Sequence, residues 1–338
     1  MKEIGSEFWI EEGIDRKNVT SKAIHVLSGR TALDFIIRDI KKSNKYIDMV
    51  YFPDYCCDSM IEPFLKHNIT LKYYHVYSDG KRFHLEYSNQ HHCKIVYLMH
   101  YFGYKIPELY EIAKEEIEKG TIVIYDATHM INGFDKIPFS YLFCSYRKWF
   151  YSNSAAVLKR GNFVVDVPKE INSQYVLLRE RAASLKAKYI LGESIEKKEY
   201  LRLFQEAEDI LEKDSYDYMG NGEEPLFLND LIEKRRENAK LIMKKLKELG
   251  NIRLAVNSVE KEDCPLFVPI LLDESKRNNI KNELVKKSIY CPVHWPISKL
   301  HFGIDNIFYS KELSLICDQR YGKKDIIREI RALHEITK

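Results

Sequence analysis

The chain has 338 residues, 45% apolar and 30% charged, the proportions of a globular protein with room for two domains or one large α/β domain plus an appendage. Its 53 basic and 50 acidic residues are interspersed and leave a net charge of +3, so composition makes no electrostatic case for nucleic acid or an anionic membrane. No apolar run approaches the ~20 residues of a bilayer span, and the polar start Met1-Lys2-Glu3-Ile4-Gly5-Ser6-Glu7 lacks a signal peptide's apolar core. The cysteines (Cys56, Cys57, Cys93, Cys144, Cys264, Cys291 and Cys317) form an odd, scattered set without C-x-x-C. That argues against zinc or a disulfide framework and for reduced thiols in the cytoplasm.

In chain order, Ser28-Gly29-Arg30-Thr31 reads as a turn and N-cap opening a helix from Ala32 to Lys42, where Leu33, Ile36, Ile37 and Ile40 recur at helical spacing. A strand at Asp48–Phe52 stops at Pro53. A helix at Asp58–Lys66 and a strand at Thr70–Val76 follow. Lys94–Met99 is a near-continuous apolar run, as in a strand buried on both faces, and Glu108–Lys119 is an amphipathic helix. Two further runs, Thr121–Tyr125 and Tyr141–Cys144, end on Asp126 and Ser145. This alternation predicts a mostly parallel sheet with helices on both faces. From about 170 to 214 the chain is helical and charged, its charged face read as solvated surface. Turn formers around Tyr218–Pro225 mark a boundary. A long helix Leu228–Leu249 precedes strand-like runs at Leu266–Leu272 and Ser288–Val293 and helical patterns at Lys276–Lys287 and Lys324–Glu335, a small α+β domain. The expected division is thus 1–225, a large domain with the helical insertion, and 226–338, a small one.

Ligands of open parallel sheets sit outside the carboxyl ends of strands, where Asp126, Ser145 and the Pro53–Cys57 loop all fall. A carboxylate at one strand end and a lysine, Lys148, three residues past another is the arrangement that pyridoxal phosphate (PLP) requires. The carboxylate keeps the pyridine nitrogen protonated and the amine binds the aldehyde. Each element alone also has an ordinary reading, a turn cap for Asp126 and a loop lysine for Lys148.

The chain carries, in order, Gly5-Ser6-Glu7-Phe8-Trp9, Ser28-Gly29-Arg30-Thr31-Ala32-Leu33, Phe52-Pro53-Asp54-Tyr55-Cys56-Cys57, His100-Tyr101-Phe102-Gly103, Asp126-x-x-His129 and Ser145-x-x-Lys148-Trp149. Later come Arg235-Arg236-Glu237-Asn238, Glu312-Leu313-Ser314-Leu315 and Asp318-Gln319-Arg320-Tyr321. This ordered set resembles the DegT/StrS-type (DnrJ/EryC-like) sugar aminotransferases of PLP fold type I. The resemblance implies an α/β fold with a mostly parallel seven-stranded sheet and a smaller C-terminal α+β domain. It makes Lys148 the Schiff-base lysine and proton carrier, and Asp126 the partner of the pyridine nitrogen. His129 stands where the family often has Gln, either touching the cofactor or structural. Gly29, Arg30 and Thr31 form the phosphate cup, with Arg30 turned to it, to solvent or to a substrate phosphate; Ser145 adds a hydroxyl and Arg147 a guanidinium.

The departures are specific. Cys56-Cys57 replace the usual Thr-aromatic pair, so ring stacking passes to Tyr55 or His129, with Cys57 in the aromatic's place. Ser152-Asn153-Ser154-Ala155-Ala156 replaces a Gly-rich turn, and Gln174–Tyr189 holds no clear Asn-x-Arg segment. The implied activity is transfer of an amino group from an amino acid, glutamate foremost, to a nucleotide-linked keto-sugar in polysaccharide biosynthesis, by a cytoplasmic homodimer using neither nucleic acid, membrane nor metal. The alternatives are a PLP-dependent sugar dehydratase and a non-catalytic protein on a degenerate PLP scaffold. Substrate choice is expected in the loops Tyr77–His92 and His294–Ile304, where His294 and Trp295 either line the substrate site or pack within the small domain.

Overall fold

The structure, a computed structural model, describes the chain except residues 1–2, 11–15, 19–22, 44–45, 132–136, 214–215, 226–227, 298 and 301–304. It divides into two compact units, each discontinuous in sequence: residues 1–6, 48–140 and 227–338 form one, and residues 7–47 and 141–226 the other.

The first unit is built on five strands in the order Ile122–Asp126, Ile95–Met99, Met49–Pro53, Thr70–Ser78 and Phe83–Glu86. The first four pair parallel, and Phe83–Glu86 folds back antiparallel on the edge. Ile95–Met99 is buried throughout, as its unbroken apolar run requires of a strand covered on both faces. Helices Asp58–Lys66 and Leu109–Glu118 are among the crossovers. The edge strand corrects the expectation of a loop over Tyr77–His92. Asp79 Oδ1 accepts the amides of Lys81 and Arg82 at 2.7 and 2.8 Å and turns the chain, so that Phe83 and Leu85 point inward. Two inward residues are too short a pattern to read as a strand.

The C-terminal portion of this unit has an antiparallel sheet of Arg253–Leu254, Val268–Leu271 and Glu312–Leu315. Helices Leu228–Leu249, Glu274–Lys286 and Lys323–Thr337 accompany it. The strand expected at Ser288–Val293 shrinks to Ile289–Tyr290, which pairs parallel with Ile4–Gly5. Ser288 is left-handed (φ 60°), which breaks extended structure before Ile289, and Pro292 has no amide to donate after Tyr290.

The second unit holds an antiparallel set, Ile24–Val26, Ala155–Lys159 and Tyr141–Ser145, with helix Gly29–Ser43. Among the described residues the two units thus carry five and three strands in these sheets where seven were expected, and Ile24–Val26, Phe83–Glu86 and Ala155–Lys159 are the strands that the hydrophobic runs did not mark. The charged stretch from 170 becomes two helices, Ser173–Leu191 and Lys197–Lys213, separated at left-handed Gly192 (φ 89°). They bury Ala182, Ala183, Tyr200, Leu203 and Phe204 against one another, so one face is core rather than solvated.

The turn His100-Tyr101-Phe102-Gly103 is sewn to the segment before Val268–Leu271 by Cys264 N to Gly103 O (2.7 Å) and Leu266 N to Phe102 O (2.8 Å). Gly103 has φ 82°, and a Cβ there would lie 1.8 Å from the Cys264 carbonyl oxygen. Gly120 has a similar φ of 84° but open space around it. Gly103→Ala is therefore expected to cost about 3 kcal/mol or more, strain plus a backbone clash, and Gly120→Ala only about 1 kcal/mol. Urea denaturation of both variants checks this; equal losses would show that the close approach at Gly103 is immaterial.

Candidate functional site

In the first unit the site is organised by Asp126, the last residue of its strand and 4% exposed. Met99 is opposite Asp126 in the parallel register, so Tyr97, two residues earlier, shares its face. The Tyr97 hydroxyl donates to Asp126 Oδ2 at 2.5 Å, and the Thr128 amide donates to Oδ1 at 2.8 Å. Asp126 does cap its own turn, and Tyr97 holds the other oxygen. Burial, reinforced by the Asp126 charge, pushes the Tyr97 phenol well above its ordinary pKa, keeping it a donor. Tyr97 escaped the sequence reading because tyrosine suits a strand as well as its aliphatic neighbours do.

His129 follows Asp126 by three residues and is 2% exposed. Its Nδ1 accepts the Phe102 amide at 3.3 Å, which places the proton of the neutral ring on Nε2. Its ring stacks on Trp295 (centroids 5.5 Å, 23° between planes) and meets His294 edge-on at 5.8 Å. His100 is a turn residue: its Nδ1 accepts the Ile106 amide at 3.1 Å, and burial lowers its pKa to about 3.

Tyr55 is fully enclosed by Tyr101, Phe308, Trp295 and Tyr309 of its own unit, with ring centroids 4.9 to 5.5 Å away. It presents no face to a cofactor, which corrects its expected stacking role. Cys57 precedes helix Asp58–Lys66, and its Sγ lies 3.1 Å from Ser59 Oγ. Of the segment His294–Ile304, residues 298 and 301–304 lie outside the described residues.

In the second unit Ser28 caps helix Gly29–Ser43. Its Oγ accepts the Thr31 amide at 3.2 Å and lies 2.9 Å from the Thr31 hydroxyl. Fully buried Thr31 is thereby tied into the cap, while Gly29 and half-buried Arg30 form the first turn beside it. A Cβ on Gly29 would stand 3.3 Å from Ser145 Cβ, so the structure brings this helix N-terminus and Ser145 together. Ser145 ends its strand and opens the 3₁₀ turn Tyr146–Lys148, which carries half-buried Lys148.

Arg147 is held by Glu208 on the helix Lys197–Lys213: its Nη2 donates to Oε2 at 3.1 Å, and its Nη1 lies 3.0 Å from Oε1. Glu208 also lies 3.6 Å from Arg179 Nη1, which reaches Glu7 Oε2 at 3.2 Å, while Arg179 Nε donates to Asn153 Oδ1 at 3.4 Å. Lys186 donates to the Glu7 carbonyl at 2.5 Å and lies over the Trp9 ring. The insertion thus delivers buried charge to the turn that bears Lys148.

Partial burial would raise the Glu7 carboxyl, whose side chain keeps 42% of its surface in water, but Arg179, then Arg147, Lys148 and Lys186, override it and hold its pKa at about 2 rather than 4.5. A depressed acid contributes stability above its unfolded value that disappears as pH falls through the folded one. Glu7→Gln is therefore expected to be less stable than the parent at neutral pH, with the difference closing between pH 4.5 and about 2. Urea midpoints measured across that range check it; a pH-independent difference would mean that the charge is not what Glu7 contributes.

Among the described residues no group of His, Cys, Asp and Glu is placed to hold a metal ion, and no helix is long and apolar enough to cross a membrane. No protein-family model and no curated protein matches the chain. Its structure is similar to that of the aminotransferase TlmJ from Streptoalloteichus hindustanus, at TM-score 0.59 and 14% identity over 93% of this chain and 85% of that one. It is similar to Helicobacter pylori PseC, an aminotransferase of pseudoaminic acid biosynthesis, at TM-score 0.64 and 13% identity over 94% and 87%. NtdA from Bacillus subtilis, solved with the cofactor PMP bound, gives TM-score 0.61 and 15% identity over 93% and 73%. The chain has the α/β fold of the PLP fold type I aminotransferases.

Proposed function

We propose that the protein is a PLP-dependent aminotransferase of the DegT/StrS type, moving an amino group from an amino acid to a keto-sugar. The observation that carries this reading is Asp126, a carboxylate at the end of a buried parallel strand, with Tyr97 donating to one oxygen and the Thr128 amide to the other. The residues present fit the cofactor. Helix N-terminal Gly29 against Ser145 offers amide and hydroxyl donors and a favourable dipole to a phosphate, with Arg30 and Thr31 in the same turn. Asp126 suits a protonated ring nitrogen, and His129, backed by Trp295, suits a ring face. Cys57 takes the place of an aromatic and adds little beyond volume.

When bound, PLP supplies an aldehyde and an electron-accepting ring through which nitrogen is carried between substrates. Lys148 Nζ is the covalent anchor and the group that moves the proton at the substrate's reacting carbon. Asp126 keeps the proton on the pyridine nitrogen, with Tyr97 and Thr128 fixing its direction. Glu7 and the cations around it keep the Lys148 turn in place. Glutamate as donor, a nucleotide-linked sugar as acceptor, a role in polysaccharide biosynthesis, a cytoplasmic homodimer and a division at 225/226 into large and small domains complete the proposal.

Purified protein mixed with PLP is expected to develop a visible absorption band that L-glutamate converts to the amino form of the cofactor. Lys148→Ala should abolish the band and reduce turnover by about 10³-fold or more, and Asp126→Asn by about 10²-fold. A band indifferent to every amino acid, with a deoxy-sugar product, would indicate dehydration. No band from folded protein would leave a non-catalytic scaffold.

A further inference from the structure

Two polar residues, Glu312 and Ser314, face inward from the core strand Glu312–Leu315, and both are fully buried. Left unpaired, a buried carboxyl or hydroxyl is destabilising, so where their hydrogen bonds go is informative. Both are joined to His294, which is 5% exposed. Glu312 Oε2 accepts the His294 amide at 2.7 Å. Ser314 Oγ donates to Glu312 Oε1 at 2.5 Å and lies 2.9 Å from His294 Nδ1. A serine hydroxyl carries one proton. Given to Glu312, it obliges Ser314 to accept from Nδ1–H, and Nε2 becomes the acceptor nitrogen of the neutral ring.

The same three atoms run in reverse. A proton arriving at His294 Nε2 allows the Nδ1 proton to pass to Ser314 Oγ and the Ser314 proton to Glu312 Oε1, with no heavy atom displaced. One proton is gained at Nε2, and the carboxylate ends neutral. We infer that Glu312, Ser314 and His294 form a proton relay, His294 Nε2 exchanging the proton and Glu312 and Ser314 acting as positioning residues that set the state of the ring.

Burial pushes Glu312 up to about 8, against the hydrogen bonds from Ser314 and the His294 amide and the Arg277 charge, which lower it. A carboxyl raised this far takes up a proton at a pH where a solvent-exposed carboxylate would stay ionised. Among the described residues, the other titratable groups acting on or near Glu312 are Tyr55 and Cys291, both kept neutral by burial, and beyond Cys291 stands Glu329, which accepts from its thiol at 3.3 Å and is itself pushed up to about 8 by burial. Around His294 stand Phe102, Phe267 and Trp295, and His129 meets it edge-on at 5.8 Å. His129, which follows Asp126 by three, is thus a direct ring neighbour of the relay.

Its use rests on the aminotransferase reading. When an amine replaces a carbonyl oxygen, two protons move from nitrogen to that oxygen, which leaves as water. Lys148 serves the carbon-bound proton, and a second group that can both take and give a proton is needed for the oxygen. His294, backed by Glu312, is suited to it.

The test reads the relay without cofactor or turnover. In ¹⁵N-histidine-labelled protein, the His294 signals being assigned by their loss in His294→Gln, the ring should change from the Nδ1–H to the Nε2–H tautomer as pH falls through about 8. In Glu312→Gln, of unchanged shape, that switch should vanish and the ring titrate directly to imidazolium. Ser314→Ala should lose the switch and Ser314→Thr keep it. A wild-type ring of constant tautomer, or a switch that survives Glu312→Gln, overturns the relay. In PLP-loaded protein, Glu312→Gln should remove the limb near pH 8 from the rate profile while PLP uptake stays unchanged. A relay confirmed by nitrogen shifts in protein that takes up no PLP would refute the aminotransferase reading alone.

Discussion

The hydrogen bond between the Tyr97 hydroxyl and Asp126 fixes a charge-bearing group at the place where a buried strand runs out. The strand can end there because Asp126 takes up the Thr128 amide that the ladder no longer pairs. Tyr97 can reach it because the two parallel strands align Met99 with Asp126. Everything proposed for Asp126 and His129, from the proton on a pyridine nitrogen to the stacking of His129, requires that carboxylate to point one way. A lone carboxylate at a strand end would rotate to water; this one has a donor on each oxygen.

The second unit solves a different problem. It places several cations in one region and keeps them from repelling each other by interleaving Glu7 and Glu208 among them. Buried ion pairs are weak sources of stability, because desolvation offsets much of the attraction, but breaking one leaves an uncompensated charge. Such a cluster favours one geometry over many. Its members come from the N-terminal segment, the Lys148 turn and both helices of the insertion. The missing Asn-x-Arg segment and Gly-rich turn are matched here by a different construction, in which Asn153 of the altered turn accepts from Arg179.

Asp126 and Lys148 were legible in the sequence because each follows an apolar run whose end marks a strand terminus. The parallel order was legible from the alternation of those runs with amphipathic helices. Tyr97 was not, since nothing distinguishes a tyrosine that donates to a neighbouring strand from one that only fills space. Tyr55 was misread because adjacency to a loop says nothing about which way a ring turns, and this one turns into an aromatic core. The Arg147–Glu208 fork joins residues 61 positions apart, beyond any local pattern. His294 was left between substrate contact and packing. Its bonds to Ser314 and Glu312 depend on how the 291–294 segment lies beside the last core strand, which the Ser314 amide fixes by donating to the Pro292 carbonyl.

The central claim is that Lys148 is the residue to which the cofactor attaches. Protein incubated with PLP, reduced with borohydride, digested and mapped by mass spectrometry should carry the cofactor at Lys148 in stoichiometric amount. Label spread over exposed lysines, or concentrated on a different one, would contradict the account.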